Sequence, residues 1–237
     1  MKSSDLIILS HTVNENIFLF QQEMLISFLE HTPPECKMFV LENNSTPEQH
    51  GKWKDLVLSS NQSFYYCDEP FNMNRYYNIA TKITNNEYIF YCNSDLIFHD
   101  QWYVNLLEWY DKIPNLFTIS PFTKAFDWDS NPQGVYQKDL TLREEFFETE
   151  SLPGWINCIP RKYNFIWDEQ FVGHYQDADF CYTVADMKKQ DATIHSGIAF
   201  NSRVDHIGGG TATNCSDTYG DDNSLNILKE KWENLNL

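Results

Sequence analysis

The sequence lacks the motifs by which zinc sites and redox-active cysteines are usually recognised. None of its six cysteines forms a Cys-x-x-Cys pair, and none of its seven histidines forms a His-x-x-x-His pair. Zinc-hydrolase chemistry therefore has no support, and buried free thiols are expected rather than disulfides or zinc ligands. The cysteines are Cys36, Cys67, Cys92, Cys158, Cys181 and Cys215.

Long apolar runs and positive charge are also scarce. No run approaches the length of a membrane span, and the first residues show no signal-peptide pattern, so a cytoplasmic location is expected. The 17 basic residues are outnumbered by 34 acidic ones, which leaves a formal net charge of −17. Such a protein lacks the basic surface that binds a phosphate backbone, and nucleic acid is a disfavoured partner.

The 237 residues suffice for one large core, and we find no internal repeat and no linker. Apolar strand patterns and helical patterns alternate four times over roughly the first hundred residues, which predicts an α/β fold with a parallel, doubly wound sheet. No Gly-x-Gly-x-x-Gly follows the first strand, so the dinucleotide-binding fingerprint is absent.

Polar side chains follow three of the predicted strands. The clusters are Ser10-His11-Thr12, Glu42-Asn43-Asn44 and Asn93-Ser94-Asp95. Because ligands of open α/β sheets bind at the carboxyl ends of the strands, a nucleotide-type site is expected where these clusters meet. An amide and a carboxylate two positions apart suit a hard divalent cation that also binds phosphate. The alternative is an Asx turn at the end of a strand.

Two further segments carry candidate chemistry. Asp177 and Asp179 lie at the predicted start of a helix, where a carboxylate either caps free amides or points into a cleft as a general base. His206 follows a strand-like segment and precedes three glycines in a turn-rich loop. It is either structural or a metal ligand beside a carboxylate and phosphate oxygens.

The order of these segments resembles that of GT-A glycosyltransferases, and within them the inverting family 2-like enzymes. Residues 42–45 resemble the Asp-Asn-Gly/Ser segment after the second strand, with Glu42 in place of Asp. Residues 71–80 resemble the asparagine-rich start of a helix near the donor. Residues 87–95 are similar to the strand that ends in the Asp-x-Asp motif, with Asn93 in place of the first Asp.

The second half of the chain continues the resemblance. Residues 165–171 and 176–180 resemble the Phe-Asp-Glu-x-Phe and Glu-Asp-x-Asp-Leu segments, with Gln176 in place of Glu. Residues 204–211 resemble the His-Gly-Gly-Ser loop, and residues 228–232 resemble a terminal Tyr-x-x-Lys-Trp helix. The match covers most of the chain.

The resemblance implies a single GT-A domain over residues 1–237, with a nucleotide-sugar-binding half (1–98) and an acceptor half (99–237). Its fold would be a Rossmann-like, mostly parallel sheet with helices on both faces and a smaller acceptor-side sheet. A manganese or magnesium ion would be held by Asp95 and His206, and Asp177 would be the catalytic base. The donor contacts would be Ser10, Thr12, Glu42, Asn44, Asn74, Asn78, Asn93 and Ser94.

The implied reaction moves a sugar from a nucleotide-diphosphate donor to a hydroxyl acceptor, such as a glycan, with inversion. Trp155 and Trp167 could stack on a sugar ring, although core packing is expected for at least one of them. A nucleotidyltransferase remains an alternative, against which the missing glycine-rich loop argues. A non-catalytic carbohydrate- or nucleotide-sugar-binding module is a second alternative. Transfer to modified DNA bases is a third, which the negative charge disfavours.

Overall fold

The computed structural model describes residues 2–43, 45–123, 145–172, 175–207 and 223–233. Strands and helices alternate through the first half of the chain, as the sequence predicts. The strands are β1 (Ser4–Ser10), β2 (Cys36–Glu42), β3 (Ser63–Tyr66), β4 (Tyr88–Cys92), β5 (Leu96–Phe98), β6 (Leu116–Phe122), β7 (Phe146–Glu148), β8 (Ile156–Pro160) and β9 (His195–His206). The helices are α1 (Glu15–His31), α2 (Pro47–Ser59), α3 (Met73–Ile83), α4 (Trp102–Leu107), α5 (Trp109–Lys112), α6 (Gln176–Gln190) and α7 (Ser224–Trp232).

Side-chain caps fix the starts of two helices near the strand ends. Asn14 accepts a hydrogen bond from the amide of Ile17 at 3.0 Å, and α1 begins there. Asn72 does the same for the amide of Arg75 at 2.9 Å, at the start of α3. Each cap satisfies an amide that the first turn leaves without a partner. None of the helices in the described ranges is long and apolar enough to cross a membrane.

The described strands form one sheet in the order β3-β2-β1-β4-β8-β6-β9-β5, with β7 paired to β9. Strands β3, β2, β1 and β4 are mutually parallel. Strand β8 runs antiparallel to both of its neighbours, whereas β6 and β9 are again parallel. The central sheet is therefore mostly parallel, as predicted.

The register brings the carboxyl ends of three strands to one edge. Ser10 lies opposite Glu42, and Ile8 lies opposite Cys92. The polar residues that follow β1, β2 and β4 consequently emerge side by side, as expected from parallel pairing.

Strand β9 extends further than the sequence suggests, and this corrects one prediction. We expected Asp205 and His206 in a turn-rich loop, but β9 continues through His206 and pairs antiparallel with β5, with His206 opposite Leu96. This pair is a short antiparallel extension at the β5 end of the sheet. Three-residue β5 is too short to show an alternating pattern, so the strand that keeps the end of β9 extended was not recognisable. The glycines at 208–210 lie outside the described residues.

Helices cover both faces of the sheet, as predicted. In β1, Leu6 and Ile8 point to a core shared with α1, α2 and α4, whereas Ile7 points to a second core shared with α3 and α6. The same alternation recurs in β2 and β4. Strands buried on both faces read as continuous apolar runs, which explains the composition of these segments.

Candidate active site

Asp95 and His206 meet at the edge formed by the strand ends. The Nε2 atom of His206 lies 3.1 Å from the Oδ1 atom of Asp95. Asp95 is only 6% exposed, and its carbonyl accepts a hydrogen bond from the amide of Ile207 at 2.9 Å. The β5–β9 pairing carries both residues, since it places His206 opposite Leu96. Two residues far apart in the sequence are thereby held in contact.

Asn93 and Trp155 complete this cluster. The side-chain nitrogen of Asn93 lies 3.4 Å from His206 Nε2. The backbone amide of Asn93 donates a hydrogen bond to the backbone carbonyl of Trp155 at 2.9 Å. The Trp155 ring stacks on His206, with ring centres 4.9 Å apart and planes 11° apart. Its Nε1 donates to Thr123 Oγ1 at 2.9 Å. Trp155 therefore fixes the plane of the imidazole.

The Asn93 side chain fits with either its nitrogen or its oxygen toward His206, since the two ends of the amide have the same shape. With the oxygen toward the ring, a hydrogen on His206 Nε2 faces two acceptors, the Asn93 and Asp95 side-chain oxygens, and the three groups form a consistent hydrogen-bond set. In the same orientation, the two oxygens and a deprotonated Nε2 are atom types that bind divalent cations.

The donor set fits a divalent cation in part. Neighbouring ligands of an octahedral ion lie about 3 Å apart when each is 2.0–2.1 Å from the metal, close to the separation of Asp95 Oδ1 and His206 Nε2 (3.1 Å). In the described part of the chain, no group of three or more His, Cys, Asp or Glu side chains is arranged to hold a metal. Asp95 and His206 by themselves thus supply two potential ligand atoms, with the Asn93 side chain beside them.

Asp177 lies against Gly154, the residue that precedes Trp155 in the chain. A β-carbon built on Gly154 would lie 2.9 Å from the β-carbon of Asp177 and 3.0 Å from its Oδ2 atom. The next residue, Trp155, is the one stacked on His206. Gly154 therefore lets the half-buried Asp177 approach the chain that supports the Asp95–His206 pair. The Asp177 Oδ1 atom accepts from the amide of Ala178 at 2.9 Å.

Asp179 has different surroundings. It is 5% exposed, and its Oδ1 atom accepts hydrogen bonds from Lys231 Nζ and Trp232 Nε1, each at 2.8 Å. Tyr175, at the start of α6, forms no side-chain cap. Of the two aspartates, Asp179 is bound through its Oδ1 atom by the C-terminal helix, whereas the Oδ2 atom of Asp177 faces Gly154.

Ser10 and Thr12 belong to a buried polar network at the end of β1. Thr12 Oγ1 donates to Gln21 Oε1 at 2.7 Å, and Gln21 Nε2 donates to Ser10 Oγ at 3.3 Å. The Thr12 amide donates to Ser45 Oγ at 2.7 Å. The network joins the ends of β1 and β2 to α1, so both predicted donor-contact side chains have partners inside the protein. Ser94, which is buried beside Asp95, also lies at this edge.

Glu42 lies in the interior of this edge. Its side chain is fully buried, with Oε1 accepting from Ser45 Oγ and Oε2 lying 2.5 Å from His50 Nδ1. Burial raises the pKa of Glu42, although the hydrogen bonds from Ser45 and His50 oppose the shift. The structure thus gives Glu42 internal partners, and its predicted contact with a nucleobase stays a prediction. Asn44, predicted beside it, lies outside the described residues.

Three asparagines, the N-cap residue of α3 and two residues within the helix, bind three successive carbonyl groups. Asn78, Asn74 and Asn72 donate to the carbonyls of residues 167, 168 and 169 at 2.9, 2.7 and 2.8 Å. Asn78 Oδ1 also accepts from the amide of Trp167 at 2.9 Å. We call this set the asparagine ladder. The side chains of Asn74 and Asn78 therefore bind the 167–169 segment, and their predicted contact with the donor stays a prediction.

Sequence reasoning did not identify three residues that shape the site. Gly154 and Trp155 position Asp177 and His206, and Lys231 binds Asp179. Trp155 was named only as a possible sugar-stacking residue, whereas Trp167, 6% exposed, packs in the core as expected for one of the pair. A glycine directly before a tryptophan was the available signal for close approach. Lys231 had no signal beyond its place in the terminal motif.

Three glycosyltransferase structures share this architecture. GalNAc-T7 with UDP, GalNAc and Mn²⁺ aligns with 98% of this chain at a TM-score of 0.64 and 12% identity. Mannosyltransferase PcManGT from Pyrobaculum calidifontis, in complex with GDP-Man and Mn²⁺, aligns with 95% at 0.64 and 12% identity. TarS (residues 1–349) from S. aureus aligns with 100% at 0.66 and 11% identity.

This chain spans 55%, 60% and 67% of the lengths of those three structures, in the same order. No protein-family model matches it, and no curated protein matches it in sequence. The similarity therefore concerns the fold, over nearly the whole of this chain. The chain has the GT-A fold of these nucleotide-sugar glycosyltransferases.

Proposed function

We propose that this chain is a metal-dependent, inverting glycosyltransferase that moves a sugar from a nucleotide-diphosphate donor to a hydroxyl group of an acceptor such as a glycan. One observation carries the proposal. A candidate general base, Asp177, and a candidate cation-binding pair, Asp95 and His206, are joined through two adjacent residues, Gly154 and Trp155.

The Asp95–His206 pair would hold a manganese or magnesium ion, with the Asn93 oxygen beside it. Such an ion neutralises the negative charge that grows on a departing diphosphate. The Mn²⁺ of the GalNAc-T7 and PcManGT complexes supports this choice of cofactor by analogy. The buried setting of Asp95 strengthens its attraction for a cation, since less water competes with the ligand.

Asp177 would take the proton of the acceptor hydroxyl at its Oδ2 atom. The Oδ1 atom is held by the amide of Ala178, which orients the carboxylate. The hydroxyl oxygen then forms the new bond to the anomeric carbon while the bond from that carbon to the diphosphate oxygen breaks. A general base within hydrogen-bond reach of the attacking group is what a single displacement requires. Attack from the face opposite the leaving group inverts the configuration.

A thermal-shift panel of nucleotide sugars, with Mn²⁺ or with EDTA, tests donor and metal together. A ligand at about 100 times its Kd stabilises a protein by about 2.7 kcal/mol, which raises Tm by about 5–10 °C for a chain of this size. We expect one donor class to produce such a shift with Mn²⁺ only. The Asp95→Ala variant should lose the metal-dependent part.

Asp100→Ala is the matched control, because Asp100 follows β5 closely but its side chain is exposed. It should keep the wild-type shift. Nucleotide release on mixing with donor and candidate acceptors separates an enzyme from a binding module of the same fold. A donor-dependent shift that survives EDTA would overturn the metal assignment, and binding without nucleotide release would favour the module.

A further inference from the structure

A lysine of the C-terminal helix joins two carboxylates that belong to separate elements. Lys231 Nζ lies 2.7 Å from Asp168 Oδ2 and 2.8 Å from Asp179 Oδ1. Trp232, the next residue, donates its Nε1 hydrogen to the same oxygen of Asp179 at 2.8 Å. We call these four residues the Lys231 clamp. It connects α7, α6 and the segment before α6.

The clamp is more protected than an ordinary surface ion pair. The Asp179 side chain is 8% exposed, and those of Asp168 and Lys231 are 22% and 32% exposed. Burial alone would lower the pKa of Lys231, but the hydrogen bonds to Asp168 and Asp179 outweigh it and raise that pKa. Removing the lysine would leave the buried charge of Asp179 with one partner fewer, which is costly in a partly desolvated site.

The first turn of α6 lacks a side-chain N-cap. Its other contacts include the core packing of Phe180 and the hydrogen bond from the Leu152 amide to Cys181 Sγ at 3.3 Å. Tyr175 precedes the helix with a φ of 61°, in the left-handed region, and provides no side-chain cap. Free amides at a helix start normally need such a partner. Positions 177 and 179 lie about 200° apart around a helix. Lys231 and Trp232 therefore bind the side of the first turn opposite Asp177.

The other end of the clamp is anchored in the sheet half of the molecule. Asp168 lies in the 167–169 segment, which the asparagine ladder binds to α3. The Tyr76 and Tyr77 side chains of α3 are in turn buried against the central strands. A continuous chain of contacts thus runs from the sheet through α3, Asp168 and Lys231 to the first turn of α6.

We propose that the Lys231 clamp holds the first turn of α6, and with it the carboxylate of Asp177, at the position required for transfer. Lys231 and Asp179 are on this view positioning residues that act through Asp177. The functional part of this inference rests on the proposed role of Asp177 as base.

The test compares Lys231→Met with Lys188→Met. Lys188 lies near the other end of α6 and also joins two carboxylates, those of Glu148 (2.9 Å) and Glu150 (2.5 Å). Hydrogen exchange is followed at the amides of residues 179–181, together with kcat, acceptor KM and donor Kd. We expect exchange there to be faster by about tenfold or more in Lys231→Met only. Its kcat should fall about tenfold with KM and Kd retained, since a base out of place affects the chemical step.

Two further variants keep the test decisive. Lys231→Arg, whose guanidinium can bind both carboxylates, should restore most of kcat and of the protection from exchange. Trp232→Phe removes one hydrogen bond to Asp179 and keeps an aromatic ring beside Tyr182. It should give a smaller effect in the same direction, and it replaces Lys231→Met in the comparison if that variant does not fold.

The outcomes test separately whether the clamp holds α6 and whether it positions Asp177 for transfer. Unchanged exchange in Lys231→Met and in Trp232→Phe would overturn the clamp, whatever the activity. Faster exchange with unchanged kcat would overturn the positioning of Asp177. Equal loss of kcat in Lys188→Met would assign the effect to general stability. A wild-type protein that releases no nucleotide from any donor would refute the proposed function, and the exchange measurement would still decide whether the clamp holds α6.

Discussion

Asp177 and Asp179 lie on one helical turn but have different partners, which separates their roles at the scale of single residues. Asp179 receives hydrogen bonds from Lys231 and Trp232, so its negative charge is committed to structure. Within the described residues, the Asp177 side chain accepts a hydrogen bond from the adjacent amide of Ala178 and lies against Gly154. The Oδ1 atom of Asp179 is thus occupied by two donors of the C-terminal helix, whereas the Oδ2 atom of Asp177 faces Gly154.

Asp177→Asn should abolish transfer and leave donor binding intact, because the amide keeps the shape of the side chain but cannot accept the proton. A general base contributes about 10²–10⁴ to the rate, and kcat should fall by that factor. Steady-state kinetics and the thermal shift with donor and Mn²⁺ measure the two effects. Asp186→Asn, on the same helix, is the control and should keep wild-type turnover. Unchanged turnover in Asp177→Asn would remove Asp177 from this role.

The asparagine ladder of α3 shows how an element can use functional-looking residues for structure. An asparagine can donate to one backbone carbonyl and accept from one backbone amide, as a neighbouring strand would. Asn78 does both with Trp167. The ladder therefore satisfies the backbone of a segment that has no strand partner of its own in the described sheet. It also aligns Asp168 for the Lys231 clamp.

Asn78→Ala should lower the free energy of unfolding by about 2–4 kcal/mol, because it leaves the buried backbone groups of Trp167 without partners. Urea unfolding followed by far-UV circular dichroism measures the change. Asn226→Ala is the control, since Asn226 is exposed on α7, and it should change stability by less than about 0.5 kcal/mol. A loss of similar size in both variants would mean that the ladder contributes little to the stability of the fold.

On the scale of the whole molecule, the sheet separates two hydrophobic cores with different contents. The core shared with α1, α2 and α4 contains three free thiols, those of Cys36, Cys92 and Cys158. These residues confirm the expectation of buried free cysteines. Burial raises the pKa of Cys36 to about 12 and those of Cys92 and Cys158 well above their usual range. Cys215 lies outside the described residues.

These three thiols should resist alkylation in the folded protein, since the thiolate is the reactive form. With iodoacetamide at pH 8 and peptide mass spectrometry, the half-buried Cys67 should be labelled before these three thiols. Cys36, Cys92 and Cys158 should be labelled only as urea unfolds the chain. Because their pKa is raised on folding, stability is fully present below the unfolded pKa of about 8.5 and should fall as pH rises above it. Native labelling of Cys92 at the rate of Cys67 would contradict a closed core.

Local patterns in the sequence suffice to predict the alternation of strands and helices, the helices on both faces and the polar clusters at one edge. These features depend on periodicity and on the way parallel strands align, which neighbouring residues express. The proximity of Asp95 and His206 was expected from the family resemblance, and the structure brings them together. Their role in metal binding stays a proposal.

Tertiary contacts alone decide which polar side chain binds the protein and which remains open to a ligand. Asn78, Glu42 and Asp177 are all polar residues near predicted strand or helix ends, but their partners come from distant segments. The conformation at the end of β9 likewise depends on a distant segment, since β5, a strand too short to predict, keeps it extended. A hydrogen-bonding group is chemically identical whether its partner is a buried carbonyl or a substrate. Local sequence patterns therefore specify the framework, whereas the folded chain assigns the partners.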